Sequence, residues 1–198
     1  MRPFIPALCL AMLTALAGCA TPVGPVEVTR FIAPDAASLG RGTIAIAAAP
    51  GMDETSLEYR SYAVAVSREL ARVGYSEAAP GAAAAQTAEI GLARNRYQPG
   101  RTGSPVSVGL GGATGSYGTG VGLGIGINLS GPPPEQVDTE LSVRIRDSAT
   151  GKALWEGRAS FTVSAKSPLA ETQLAAAKMA AALFRDFPGR SGETIRVE

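Results

Sequence analysis

The alternation of apolar and polar residues after position 25 predicts a sheet of short strands. The pattern predicts strands over residues 26–31 and 43–48, and a third over residues 88–97. A short final strand is predicted over residues 194–197, after the turn residue Gly192. These strands are rich in Val, Ile and Thr, the residues that favour a pleated and half-buried surface.

The same alternation predicts a meander hairpin in the C-terminal half. Apolar residues alternate with polar ones over residues 141–146, and residues 147–151 have the composition of a tight turn. The chain then returns over residues 153–163, with Trp155 and Phe161 on one face. Two strands joined by so short a turn pair antiparallel.

A first helix is predicted over residues 55–74. The residues Thr55 to Glu58 match a capping box, and Gly74 lies where a helix C-terminus favours a positive φ. Its predicted buried stripe comprises Tyr59, Tyr62, Ala63, Val66, Leu70 and Val73.

A second helix is predicted after Ser167, with Pro168 at its first position. It is expected to end at Pro188 and Gly189. The predicted buried stripe of this helix comprises Leu174, Ala177, Ala181 and Phe184.

Residues 102–134 differ from the rest of the chain, because they contain eleven glycines and no charged residue. From Val121 to Leu129, aliphatic residues alternate with glycines, so one face of a strand would be bare. The segment is predicted to form a glycine-rich β-hairpin or a loop insertion. Since such a segment can pair edge to edge or lie flat on another surface, it is a candidate for self-association or for contact with an envelope protein. A locally packed insertion is the alternative.

Together these elements predict an α+β fold: a mostly antiparallel sheet with two helices packed on one face, plus the glycine-rich insertion. Residues 26–198 are expected to form one domain, which follows a tether at residues 19–25.

The first 18 residues have the features of an export signal. Arg2 precedes an almost wholly apolar run, which is too short to span a bilayer comfortably. The residues Leu16-Ala17-Gly18-Cys19 resemble the bacterial lipobox. That resemblance implies diacylglycerol on the Cys19 thiol, cleavage before Cys19 and acylation of the new amine, so that lipid chains hold the protein on a membrane. A plain signal peptide with a chance cysteine is the alternative. The residue after Cys19 is Ala20, not Asp, and by resemblance to lipoproteins of bacteria with two membranes this implies the outer membrane.

Composition excludes several classes of function. Removal of Arg2 with the signal leaves 17 basic against 17 acidic residues, so no global field attracts nucleic acid. The chain has no histidine, and its two cysteines are Cys9 in the signal and Cys19. Serine–histidine and cysteine–histidine catalysis and ordinary zinc sites are therefore not expected. No nucleotide-binding motif matches, and we predict no cofactor, no metal and no catalytic residue.

Charged side chains supply the remaining candidates. Asp53 and Glu54 are interpreted as helix-start residues, and Asp147 as a turn residue. Arg94 and Arg96 share one face of a predicted strand, and Arg144 and Arg146 share one face of another. If these two faces coincide, the four arginines would form a basic surface for partner contact. Such a surface would suit anionic glycan or lipid headgroups. The alternative is a solvated face paired with Glu140 and Glu156.

The chain resembles bacterial envelope lipoproteins that carry the domain of unknown function 4136. The similar pieces are the lipobox, the helix over residues 58–75, the glycine-rich middle, residues 154–159 and residues 183–188. The resemblance implies a fold class and a location in the envelope, and it supplies no catalytic or binding residue.

The sequence thus favours a non-enzymatic, lipid-anchored module on the periplasmic side of the outer membrane, which serves envelope assembly or maintenance. Two alternatives stay open. One is an envelope hydrolase that uses carboxylates, which requires a concave pocket with two or more acidic side chains. The other is a carrier of a lipid or small hydrophobic ligand, which requires an apolar cavity between sheet and helices.

Replacement of the lipid-bearing residue tests the anchor. In Cys19→Ser the thioether cannot form, so the protein is expected to leave the membrane fraction and to lose incorporation of labelled fatty acid. Cys9→Ser is the matched control and should retain both properties. Membrane association and labelling that both persist in Cys19→Ser would contradict the anchor.

Overall fold

A computed structural model of the protein describes residues 24–79, 81–100, 106–115, 118–127 and 133–198. The predicted lipobox with Cys19, and the tether before Gly24, lie outside the described residues. The strands are β1 (Val26–Ile32), β2 (Thr43–Ala48), β3 (Ser76–Glu77), β4 (Gln86–Tyr97), β5 (Val106–Gly115), β6 (Gly118–Ile127), β7 (Gln136–Asp147), β8 (Ala153–Ser164) and β9 (Thr194–Val197). The helices are α1 (Leu57–Arg72) and α2 (Thr172–Leu183), and a 3-10 turn at Pro168–Ala170 precedes α2.

Seven strands form one sheet in the order β3-β2-β4-β7-β8-β1-β9, and β5 and β6 pair with each other in a separate two-stranded sheet. The large sheet is mixed. β2 is parallel to both β3 and β4, whereas the other neighbours pair antiparallel. The parallel pairs follow from α1, because a parallel connection needs a crossover, and this helix provides it. The α+β class is confirmed.

Helix α1 presents the predicted stripe to the core. Tyr59, Tyr62, Val66 and Leu70 are buried, and burial raises the pKa of Tyr62 to about 12. The cap lies one residue later than predicted. Ser56 is the N-cap, and its Oγ accepts a hydrogen bond from the Tyr59 amide at 3.2 Å. The side chain of Thr55 instead donates to Asp53, so the predicted capping box is wrong in its register.

Helix α2 buries a different face from the predicted one. Leu174, Ala177 and Ala181 are exposed, and only Phe184 of the predicted stripe is buried. The buried residues are Ala175, Ala176, Met179, Ala180, Ala182 and Leu183. Because alanines occur on every side of this helix, apolar periodicity cannot select its face. The larger side chains of Met179 and Leu183 face the sheet instead.

Trp155 joins the sheet to the end of α2. Its ring stacks on Phe184 with 5.4 Å between centroids and lies 5.3 Å from the ring of Phe187. Its Nε1 donates a hydrogen bond to the carbonyl of Pro188 at 3.0 Å. Gly157 makes this packing possible, because a Cβ there would lie 2.8 Å from Leu183 Cδ1 and closer still to the Trp155 ring.

Arg30 on β1 is a buried charge that caps the same helix. Its guanidinium donates from Nε to the Leu183 carbonyl at 3.0 Å and from a terminal nitrogen to the Ala182 carbonyl at 3.1 Å. A cation is favourable at a helix C-terminus, where carbonyls lack partners within the helix. Burial lowers the pKa of Arg30, and the nearby Asp186 carboxylate opposes that shift.

Substitution of the glycine beneath the tryptophan tests this packing. Gly157→Ala places a methyl group against the Trp155 ring and Leu183, so the free energy of unfolding in a urea titration should fall by about 1–3 kcal/mol. Gly100→Ala is the matched control, since a Cβ at that position would meet no described residue within 4 Å. Equal stability of the two variants would contradict the packing described.

Candidate functional site

The two faces of the seven-stranded sheet differ in what they contact. The residues of β7 that face the helices are buried, and they include Leu141, Val143 and Ile145. The residues between them face the opposite side, which we call the open face. Within the described residues, no helix packs on the open face of β7 and β8, so side chains there are available to a ligand.

Two rows of open-face residues cross the sheet by strand register. In one row, Thr29 of β1 is opposite Arg158 of β8, which is opposite Ser142 of β7 and then Gly91 of β4. In the next row the order is Phe31, Glu156, Arg144 and Glu89. Four neighbouring strands therefore place hydroxyl, acidic, basic and aromatic groups on one surface.

The charges of the open face are paired with one another. Arg144 Nε lies 2.7 Å from Glu156 Oε1, and a terminal nitrogen of Arg146 lies 2.7 Å from Glu89 Oε1. Arg158 Nε lies 3.0 Å from Glu140 Oε1. The side chains of Arg144 and Glu156 are 48% and 44% exposed, so this pair adds little to folding stability. Its charges are not required by the core.

A cavity of about 330 Å³ lies between the two rows. Its walls include Phe31, Glu89, Arg144, Glu156 and Arg158, and Ser142 also lines it.

Gly91 of β4 lies beside two residues of the cavity lining. A Cβ at Gly91 would lie 2.5 Å from Ser142 Oγ and 3.5 Å from Ala49 Cβ, and both of these residues line the cavity. Any larger residue at position 91 would therefore fill space beside Ser142.

The four predicted arginines do not lie on one surface. Arg144 and Arg146 are on the open face. Arg94 and Arg96 share the helix-side face of β4, where Arg94 is opposite the buried Thr139. The condition for a common basic surface is therefore not met, because β4 and β7 present these pairs to opposite sides.

Arg94 instead ties the two helix starts to the sheet. It donates to Glu58 Oε1 at 2.9 Å, to Thr172 Oγ1 at 2.8 Å and to the Ala170 carbonyl. Its side chain is only 17% exposed. Arg96 is exposed, and its role in partner contact stays a prediction.

Of the acidic residues predicted from the sequence, Asp53 and Glu54 precede α1, and Asp147 is the last residue of β7. Hydrogen bonds from the hydroxyl and the amide of Thr55 lower the pKa of Asp53. The hydroxyl and the amide of Thr150 lower the pKa of Asp147 in the same way. Glu54 Oε1 accepts from the Ala48 amide at 3.4 Å. These three residues do not line the cavity.

Sequence reasoning missed Phe31 and Glu89 as cavity residues. A signal for Phe31 was present, because it occupies the polar phase of β1 together with Glu27 and Thr29, and it is 56% exposed. Glu89 had no comparable signal, since its place in the cavity depends on β4 lying beside β7.

The described part of the chain contains no group of three or more His, Cys, Asp or Glu side chains that could hold a metal ion. Neither of the described helices has both the length and the apolar character needed to cross a bilayer.

The profile of a family described as "Domain of unknown function (DUF4136)" matches residues 42–189. The chain belongs to the DUF4136 family. The family predicted from the sequence is thereby confirmed. The matched region of this DUF4136 protein begins just before β2 and ends after α2, so β1 and β9 lie outside it. Phe31, one wall of the cavity, therefore comes from a strand that lies outside the matched region.

An uncharacterised protein of Zymomonas mobilis is 42% identical over 65 residues, which are 32% of this chain and 24% of that protein. The alignment thus spans about a quarter of the relative's length.

Comparison with solved structures bears on the fold alone. A PDZ domain protein from Parabacteroides distasonis superposes with a TM-score of 0.52 at 12% identity, over 96% of this chain and 41% of that one. This likeness shows a shared fold alone. A PelC dodecamer from Paraburkholderia phytofirmans gives a TM-score of 0.44 at 14% identity, over 84% of this chain and 99% of that one. That score is too low to define a common fold.

Proposed function

We propose that this DUF4136 protein is a non-enzymatic binding module of the bacterial envelope, anchored through lipid on Cys19 to the periplasmic face of the outer membrane. It would serve envelope assembly or maintenance by holding a protein or glycan partner. The observation that carries the binding role is the cavity of about 330 Å³ on the open face. The lipobox supports the location.

The cavity suits binding because the fold does not depend on its charged side chains for stability. The buried arginine Arg30 and the largely buried Arg94 hold helix ends, whereas Arg144 and Arg158 lie at the surface in exposed ion pairs. Surface ion pairs contribute about 0–1 kcal/mol to stability, so the fold does not depend on these charges.

One observation favours the hydrolase alternative: two carboxylates, Glu89 and Glu156, line the same cavity. A further observation favours binding: each carboxylate accepts a hydrogen bond from an arginine. A general acid must instead hold a proton for the leaving group.

The carrier alternative gains no comparable support. It needs an apolar cavity between the sheet and the helices, where large side chains are fully buried. These include Trp155, Tyr62, Phe161, Phe184 and Met179.

We also propose that the glycine-rich segment contacts a second copy or an envelope protein. The pairing of β5 with β6 puts Gly109 opposite Gly124 and Gly111 opposite Gly122. Glycine pairs add no cross-strand side-chain contacts on their face of the ribbon, and a two-stranded ribbon by itself is marginal in water. Contact with another surface would supply the missing stabilisation.

Cross-linking in intact cells tests the binding role of the open face. A photoreactive phenylalanine analogue at position 31 is expected to capture discrete adducts, identified by mass spectrometry. The same analogue at Val64 is the matched control, because Val64 is 52% exposed on α1, away from the cavity. Adducts that are absent at position 31, or identical at the two positions, would contradict the proposal.

Removal of residues 104–131 tests the glycine-rich segment. The deletion is expected to reduce oligomer size in light scattering or to remove proteins that co-purify from the envelope. A flexible linker of the same length in place of the segment is the control for chain connectivity. If both measurements match those of the wild-type protein, the segment has no such role.

A further inference from the structure

We infer that the cavity on the open face binds a neutral, polyhydroxylated ligand, a segment of a glycan chain. The inference rests on the proposed binding function and assigns a ligand class to the same site. The four arginines suggested an anionic ligand in the sequence. The structure favours a neutral one, because it places the two pairs of arginines on opposite faces and gives the arginines of the open face acidic partners.

The charge of the lining favours a neutral ligand. Glu89 and Glu156 are balanced by Arg144 and Arg158 in the walls. An anionic ligand would have to compete with Glu156 for Arg144, and a cationic ligand would have to compete with Arg146 for Glu89. A ligand without net charge can enter and leave every ion pair intact.

The hydrogen-bonding groups favour a ligand that both donates and accepts. Among contacts between described residues, Arg144 and Arg158 use Nε on a glutamate. A guanidinium has five donor hydrogens, and a carboxylate accepts at both oxygens. Ser142 adds a hydroxyl that can do either. The hydroxyl groups of a sugar both donate and accept, so they can bond to the acidic and to the basic side chains of the wall.

Phe31 supplies the apolar part of the site. Its ring is 56% exposed at the cavity wall, in the same row as Glu156. A sugar ring carries C–H groups on one side that can pack on an aromatic face, which has a partial negative charge. A site with a single aromatic plane among charged groups suits a sugar better than it suits a wholly apolar ligand.

The shape of the cavity fits a chain segment. Its volume of about 330 Å³ is at the lower end of the ~300–1,000 Å³ typical of small-molecule pockets. Ser142 lines the cavity, and its neighbour Gly91 on β4 has no side chain to fill the space beside it. One sugar ring could lie beside Phe31 while neighbouring units of the glycan continue over the sheet.

Ligand-detected NMR on the full-length lipidated protein in nanodiscs tests the inference. The probes are the neutral hexasaccharides chitohexaose, maltohexaose and cellohexaose, with an oligogalacturonate as the anionic comparison. Saturation transfer is expected to at least one neutral probe and not to the anionic one. Phe31→Ala and Gly91→Ala should each weaken that binding roughly five- to tenfold, because one removes the stacking plane and the other fills the space beside Ser142.

Two controls separate a lost contact from a lost fold. Phe31→Trp keeps an aromatic plane and should retain binding, whereas Tyr97→Ala removes an aromatic residue that is 48% exposed outside the cavity and should have no effect.

Three outcomes overturn the inference: transfer to no neutral probe, transfer only to the anionic probe, or equal binding by Phe31→Ala and the wild-type protein. If cross-links at position 31 persist without glycan binding, the ligand class fails and the binding module remains. If a hexasaccharide is bound and cleaved, the glycan is retained as ligand and the hydrolase alternative replaces the binding role.

Discussion

The packing of Trp155 between β8 and the end of α2 is the contact on which the rest of the fold depends. The indole lies over Gly157, stacks on Phe184 and donates to the Pro188 carbonyl. Because β8 alternates, burying Trp155, Gly157 and Ala159 on the helix side places Glu156 and Arg158 on the opposite side. One strand thus supplies the centre of the core and a wall of the cavity. A shift of its register by one residue would exchange the two surfaces.

Arginines on the two faces of the sheet have different roles. On the helix side, Arg30 satisfies the carbonyls at the end of α2 and Arg94 joins the starts of both helices. Burial of a charge is costly unless hydrogen bonds satisfy it, and both side chains make several. On the open face, Arg144 and Arg158 have exposed glutamate partners. The charges that stabilise the fold are therefore separate from those available to a ligand, which is why substitutions in the cavity can test binding without loss of the core.

Local pattern was a good guide where polar and apolar residues differ sharply. The strand Thr43–Ala48, the strand Thr194–Val197 and the buried stripe of α1 agree with the sequence. Prediction was wrong for α2, whose alanines blur the apolar face, and it missed β3, whose two residues carry no pattern. The cavity was not predicted at all. Phe31 could have drawn attention as an aromatic residue in a polar phase, but Gly91 and Glu89 become part of a site only through their neighbours across the sheet.

The sequence by itself determined the family, the α+β class and the absence of histidine chemistry, because these follow from residue identity and from periodicity within single segments. It also determined that Arg94 shares a face with Arg96, and Arg144 with Arg146, since alternation along one strand is local. Only the tertiary structure decided that these faces are opposite. That outcome depends on the antiparallel register of β4 and β7, in which Arg94 is opposite Thr139 and Arg144 is opposite Glu89. Pairing between residues 39 to 61 positions apart is set by the whole core, so no local pattern carries it.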